Sequence, residues 1–196
     1  TATNALVERS YPPIAMITTE GFRDVIEIGR QRRQHLFDLR QKRPQPMVSR
    51  RLRYTVSCRL SATGEDIHPF DDDEARNVAR KIKSLAIKSV AICFINSYVN
   101  SRHEAQMRDI LLQEHPDCHV ALSSETVKKF REHGRFSTTV IRAALLPVMT
   151  RYFDRLTNEL KSNGFTGYLL AIKSNGGMMG VDLAIERPEE RVESGP

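Results

Sequence analysis

The sequence predicts an α/β fold, with mixed, largely parallel sheets and flanking helices. Two observations predict it. Apolar runs rich in β-branched residues, too short to be helices, recur at residues 14–18, 88–95 and 120–122. Segments of helical periodicity separate the later ones, at residues 71–85 and 101–114. Helix followed by strand, repeated, is the pattern of a largely parallel sheet covered by helices. The 196 residues suffice for one sizeable core, or for one domain and part of a second.

Taken in order, residues 14–18 read as a buried strand feeding a helix of about two turns over 22–28, which Gly29 ends because a residue free to take positive φ is wanted there. Residues 31–51 hold Pro44 and Pro46, show little periodicity and read as loop. Partial alternation from Leu52 through Tyr54, Val56 and Cys58 to Leu60 predicts a strand with one covered face, and Thr63, Gly64 and Glu65 a hairpin turn after it. Asp71 and Glu74 have the spacing of a capping box, and the acids at 71–74 favour the positive end of a helix carrying Ala75, Val78, Ala79, Ile82 and Leu85. Residues 137–163 hold helical spacing throughout, with Pro147 expected to kink the helix and Gly164 to end it. A last strand over 168–172 runs into Ser174, Asn175, Gly176 and Gly177, a turn of the kind that lets backbone approach a ligand.

Composition narrows the function classes. No apolar run reaches the roughly 18 residues that a bilayer span needs, and residues 1–6 have neither the basic nor the apolar region of a signal peptide. Cys58, Cys93 and Cys118 are odd in number and far apart, which argues against a disulfide framework and points to the cytoplasm. The net charge of +6 is concentrated: residues 22–53 hold ten Arg and Lys against Asp24, Glu27 and Asp38. That block lacks any recognition-helix, zinc-finger or ribonucleoprotein pattern, so it reads as a solvated face or a surface for an acidic partner, not as a nucleic-acid site.

Chemistry-bearing residues are sparse. His115, Cys118 and His119 are close in sequence, but Pro116 breaks the helix that would align them, and no second cluster supplies the other ligands zinc wants. His35, His68, His103 and His133 are isolated. Asp71, Asp72 and Asp73 suggest a metal, yet the helix cap explains them without one, and no metal site is expected. Ser123, Ser124, Ser174 and Ser194 could be nucleophiles, but none lies in a Gly-x-Ser-x-Gly elbow, and neither a phosphate loop nor a dinucleotide fingerprint occurs. No catalytic residue is assigned.

A series of short motifs carries the reading further. Thr3-Asn4-Ala5-Leu6 with Glu8-Arg9 begins it, then Gly21-Phe22-Arg23-Asp24 with Ile28-Gly29-Arg30-Gln31, then Asn96-Ser97-Tyr98 with Asn100, His103 and Glu104. Ser123-Ser124-Glu125, Arg135 with Ser137-Thr138-Thr139-Val140, Leu146-Pro147-Val148-Met149, Ser174-Asn175-Gly176-Gly177 and Ser194-Gly195-Pro196 complete it. Individually weak, in this order these motifs resemble the ATP-dependent hydantoinase/5-oxoprolinase family along essentially the whole chain. Asn96 stands where the family usually has His, and Arg142 where it often has Asn.

The resemblance implies an actin-like, ribonuclease H-like ATPase fold that holds nucleotide between two lobes. It implies hydrolysis of a small cyclic amide by ATP-driven phosphorylation of the amide oxygen, with ATP and Mg²⁺ as cofactors of the full-length enzyme. The alternatives are the ATP-binding subunit of an acetone- or acetophenone-carboxylase-type enzyme and a non-catalytic partner-binding module. The implied partner is a second, hydantoinase B-like subunit or a fused domain, and self-association through uncovered sheet edges is a further expectation. The family's two Gly-Gly-Thr phosphate hairpins lie outside the matching stretch. The chain is therefore expected to be an internal piece, inactive alone, with residues 1–140 ending the N-terminal domain and 141–196 beginning the catalytic one. Ser174, Asn175, Gly176 and Gly177 are expected to line the nucleotide or substrate cleft, or else to form a plain strand-to-helix turn. Gly29, Arg30 and Gln31 come next: Arg30 either pairs with a phosphate or carboxylate or lies in the basic face. Ser97, Tyr98, Glu125 and Arg135 are expected to be structural.

Overall fold

Four parallel strands form the centre of the protein. The computed structural model describes residues 2–31, 37, 38, 40 and 44–192. Strands β1 (Ile14–Thr19), β2 (Arg53–Val56), β5 (Ser89–Cys93) and β6 (His119–Leu122) lie in the order β2-β1-β5-β6, every pair parallel. Burial follows strand alternation. Ala15, Ile17, Val90 and Ile92 point to one face, where α3 (Asp72–Ser84) contributes Ala75, Ala79 and Ile82 and α4 (Arg102–Glu114) contributes Met107, Ile110 and Leu111. Ile14, Met16, Ala91, Cys93 and Ala121 point to the other, beneath Phe136, Val140, Ala143 and Ala144 of the long helix α6 (Glu132–Ser162). Small residues on both sides of that contact let α6 lie close against the sheet.

The remaining elements attach to this layer. Helix α2 (Val25–Ile28) and Val48 pack on the α6 side, and β3 (Arg59–Leu60) pairs antiparallel with β4 (Asp66–His68) as a small hairpin. A short helix, α5 (Ser123–Thr126), follows β6 directly. A third core cluster joins α1 (Ala2–Val7) and Leu145, Met149 and Phe153 of α6 to the hairpin of β7 (Leu170–Ile172) and β8 (Met178–Gly180) and to α7 (Val181–Glu186). The 3-10 turn Pro188–Arg191 closes that cluster.

Several expectations change in detail. The strand expected over residues 52–60 is two strands in two sheets, because the Ser57 amide donates to Glu74 Oε2 (2.7 Å) and the chain leaves the parallel layer there. Asp71 caps α3 by accepting from the Glu74 amide (2.9 Å), but the Glu74 carboxylate is committed to Ser57, so the capping box is half formed. The helix expected over 22–28 shrinks to the single turn of α2, and the long helix begins five residues earlier than its apolar spacing indicates. Gly164 ends it as expected, at φ +80°. Ser174, Asn175, Gly176 and Gly177 connect two strands of a hairpin, not a strand to a helix. His35, Ser194, Gly195 and Pro196 lie outside the described residues.

Candidate functional site

Connections leave β1 and β5 over opposite faces of the sheet: β1 continues through α2 on the α6 side, and β5 through α4 on the other. Carboxyl ends of strands at such a reversal are where open α/β sheets place ligands. Here those ends are bound together, with the Ile95 amide donating to Thr19 Oγ1 (3.1 Å) and Thr18 Oγ1 donating to the Cys93 carbonyl (2.8 Å).

The head of α6 stands beside this edge and meets the end of α2. Gly29 takes φ +61°, ψ −144°, a region that side chains rarely enter. A Cβ on Gly29 would lie 3.5 Å from His133 Nε2, and one on Gly134 would lie 3.8 Å from Arg30 Nη2. Gln31 and Arg131, both non-glycine, also take positive φ, at 54° and 79°. Arg131 precedes α6 without capping it through its side chain, so the first-turn amides keep their donors. Burial, then the Arg30 charge, holds the His133 imidazole below its ordinary range. His133 Nδ1 is buried without a hydrogen-bond partner among the described residues. Arg30 is exposed and makes no hydrogen bond or ion pair to any described residue. A guanidinium unpaired among the described residues, beside helix amides that the side chain of Arg131 does not cap, suits an anionic group.

A buried polar hub fixes this helix head. Glu104, fully buried, accepts from the Phe94 amide (2.9 Å), the Ser123 hydroxyl (2.6 Å) and the Ser124 amide (2.8 Å). Arg135, equally buried, donates to Ser123 Oγ (3.1 Å) and to the carbonyls of Lys129 and Phe94 (both 3.0 Å). Its guanidinium also lies over the Tyr98 ring at 5.3 Å, and Ser97 Oγ meets Ser123 Oγ at 3.0 Å. Arg135, Ser97 and Tyr98 are therefore structural, as the sequence indicates, and Ser123 is sealed from any substrate. Glu125 pairs at the surface with Arg108. Glu104 as the centre was missed, although its spacing with Met107 and Leu111 along one buried helical face was a usable signal.

Ser174, Asn175, Gly176 and Gly177 are not at the head of α6. Their hairpin packs near Leu145, Met149 and Phe153, 12 to 20 residues further along the helix, on the order of 20–30 Å at 1.5 Å per residue. The turn is bonded within its own unit. The Ser174 amide (2.9 Å) and hydroxyl (2.6 Å) both donate to the Glu190 carbonyl, and the Gly177 amide donates to Asn175 Oδ1 (3.2 Å). Asn175 and Gly176 are exposed at its tip.

Other sequence candidates resolve into packing. His115 bonds the Ile87 carbonyl through Nε2 (3.1 Å), and His103 Nε2 lies 3.0 Å from Asp66. Burial pushes the Cys58 and Cys118 thiols up to about 12 and also raises Cys93 well above its ordinary value. Much of the basic block is consumed internally: Arg53, buried, donates twice to the Val48 carbonyl and pairs with Asp24 and Glu27, while Arg50 pairs with Asp24. Arg142, where the family often has Asn, is buried between Thr126 (3.4 Å) and Glu189 (3.9 Å). An open depression of about 590 Å³ lies at the head of α3, lined by Ser57, Phe70 and the acids 71–73. Among the described residues no three His, Cys, Asp or Glu side chains gather to hold a metal ion, and no helix is long and apolar enough to cross a membrane.

The fold is a parallel α/β layer with the exposed Arg30 beside the head of its longest helix. The chain belongs to the hydantoinase/oxoprolinase family: the Hydantoinase/oxoprolinase N-terminal region matches residues 1–115, and the Hydantoinase/oxoprolinase domain matches residues 135–196. An uncharacterized protein of Methanocaldococcus jannaschii is 42% identical over 185 residues, covering 94% of this chain and 27% of that protein. The acetophenone carboxylase gamma subunit of Aromatoleum aromaticum is 29% identical, with 90% and 26% covered. The crystal structure of the ATP-dependent caprolactamase from Pseudomonas jessenii superposes with a TM-score of 0.86 at 27% identity, over 97% of this chain and 29% of that one. The chain thus spans about a quarter of the length of the relatives it matches.

Proposed function

We propose that this chain forms part of an ATP-dependent cyclic-amide hydrolase. Family membership over both matched regions is the observation that carries the reading, and the similarity to an ATP-dependent caprolactamase supports the substrate class. Bound ATP would supply the γ-phosphoryl group that activates the amide oxygen; water would then add to the carbon, the C–N bond would break as the nitrogen takes a proton, and hydrolysis of the resulting acyl phosphate would leave carboxylate and phosphate. The residues of this chain serve binding. Arg30 and the first amides of α6 would hold an anionic group, phosphate or carboxylate, at the corner that residues 29–31 and 131–134 build. The exposed tip at Asn175 and Gly176 would form a separate wall of the cleft, its turn held rigid by Ser174 and Glu190. Mg²⁺ is the expected companion of the nucleotide.

In the same reading, the N-terminal domain extends to about residue 140 and the catalytic domain begins there, close to the start of α6. A second subunit or fused domain completes the enzyme, which the subunit names of relatives support. The three free, buried cysteines suit the cytoplasm.

The test is a thermal melt of this chain with and without Mg-ATP and Mg-ADP. A nucleotide that binds the native state raises the melting temperature by mass action. A shift abolished by Arg30→Ala supports the helix-head site, and a shift insensitive to Arg30 removes Arg30 from it. A second reading, an ATP-dependent carboxylase subunit, is favoured by the acetophenone carboxylase relative. Turnover by the full-length complex that requires bicarbonate would select it.

A further inference from the structure

The tetrapeptide Lys-Ser-Asn-Gly occurs twice, at residues 161–164 and 173–176. Both copies make the same local turn. Gly164 and Gly176 take φ +80° and +84°, and their amides donate to the Lys161 and Lys173 carbonyls, each at 3.0 Å. Asn163 and Asn175 are both exposed. An Asn-Gly pair can react with itself, because glycine has no side chain to shield its nitrogen from the neighbouring carboxamide. With the four residues and the turn in common, what separates the two copies is how the surrounding fold holds each carboxamide.

The carboxamides are held in opposite directions. At the end of α6, Asn163 Nδ2 donates back to the Glu159 carbonyl (2.8 Å). The amide two residues on, of Phe165, is taken by the Leu160 carbonyl (3.0 Å), so it does not serve Asn163. At the tip of the β7–β8 hairpin the corresponding amide, of Gly177, donates to Asn175 Oδ1 (3.2 Å), and Nδ2 donates to no described residue. That bond closes a small ring containing both Asn175 Cγ and the Gly176 nitrogen, and so keeps the two near each other. It also places a donor on Oδ1, where negative charge develops when Cγ is attacked.

We propose that Asn175 is a deamidation site, reacting through a cyclic imide, and that the helix end protects Asn163. The Gly176 nitrogen gives up its proton to solvent base and forms a bond to Asn175 Cγ. The Cγ–Nδ2 bond breaks, and Nδ2 takes up a proton and leaves as ammonia. Water then opens the imide at either carbonyl, giving aspartate or isoaspartate, with no change in oxidation state. Either product places a carboxylate on the exposed tip, and isoaspartate also lengthens the backbone of the turn by a methylene. The modification is independent of the nucleotide reading.

The experiment ages the full-length protein in mildly alkaline buffer and follows both Lys-Ser-Asn-Gly sites by peptide mapping and mass spectrometry, with an isoaspartyl methyltransferase to detect isoaspartate. In the native protein Asn175 is expected to convert roughly tenfold faster than Asn163, the difference that positioning of the reacting groups supplies. In denaturant, where both carboxamides are released, the two rates are expected to converge. Equal rates in the native protein, both sites inert included, overturn the proposal. So does a difference that survives denaturation, which would trace it to Phe165 against Gly177 in the sequence and not to the fold.

Discussion

Glu104 and Arg135, a buried anion and a buried cation, meet through the hydroxyl of Ser123 and not directly. That hydroxyl donates to Glu104 Oε1 at 2.6 Å and accepts from Arg135 Nε at 3.1 Å. The arrangement ties the ends of β5 and β6 to the head of α6, and so sets where His133 and Gly134 stand relative to Arg30. Desolvating both charges is costly, and only a fully bonded network offsets it.

Removing the bridge is therefore expensive. Ser123→Ala leaves two buried charged groups each short of one partner and is expected to destabilise the fold by about 2–3 kcal/mol. Urea denaturation should show a lower midpoint at unchanged slope. A loss below about 0.5 kcal/mol, the range of ordinary surface changes, would mean that water or a side-chain shift replaces the hydroxyl.

Two arginines that read alike in sequence should separate on mutation. Arg53→Met removes a buried cation that holds Val48, Asp24 and Glu27, and is expected to cost about 2–3 kcal/mol. Arg50→Met removes an exposed partner of the same Asp24 and is expected to leave the urea midpoint unchanged, because solvent screens such a pair. Equal effects would refute the distinction.

The pH dependence has a definite sign. Burial holds His103 below its ordinary value of 6.5, although Asp66 opposes the shift. A depressed histidine takes up its proton more readily in the unfolded chain, so its contribution is complete above about pH 6.5 and is lost as pH falls through the lower folded-state value. His119 and His133, also depressed by burial, act in the same direction. Glu189 is raised by burial, so the fold gains stability as pH falls through its folded-state value toward 4.5. His103→Gln is expected to flatten the stability profile between pH 6.5 and 5 relative to the native protein. Parallel profiles would remove His103 from the acid limb.

The thiols offer a direct check of burial. With burial pushing Cys58 and Cys118 up to about 12 and raising Cys93 as well, and all three enclosed, the folded protein is expected to leave Ellman's reagent nearly unreacted at pH 8. Three equivalents should react in denaturant. Rapid reaction of one thiol under native conditions would show that its covering element opens.

Gly29 tests the helix-head geometry. Gly29→Ala forces a side chain into φ +61°, ψ −144° with ordinary contact to His133, and is expected to cost about 1–3 kcal/mol from backbone strain alone. A smaller cost, with His133 titrating at its ordinary value by NMR, would mean that the turn relaxes away from α6.

The parallel layer was legible because burial on both faces leaves a period-independent signal. The runs over 14–18, 88–95 and 120–122 are apolar and β-branched, and glycines at 29, 64 and 164 mark real chain reversals. Less legible was any element whose limits depend on a distant partner. The strand over 52–60 alternates correctly, yet it divides at Ser57 because Glu74, 17 residues away, takes its amide. The first turn of α6 carries little apolar periodicity, since Arg135 is buried as a bonded cation and not as a hydrophobe.

By itself, then, the sequence determined the α/β class, the main strands and helices of the central layer in their chain order, the helix cap at Asp71 and the family. Those depend on local periodicity, turn chemistry and the order of motifs, all carried by neighbouring residues. Only the tertiary structure decided that Arg53 is buried while Arg30 is exposed, that Glu104 and Arg135 meet across Ser123, and that the two glycine motifs stand apart along α6. Each of these is a pairing of groups distant in sequence, and the free energy of a charge depends on whether such a partner is present where water is not.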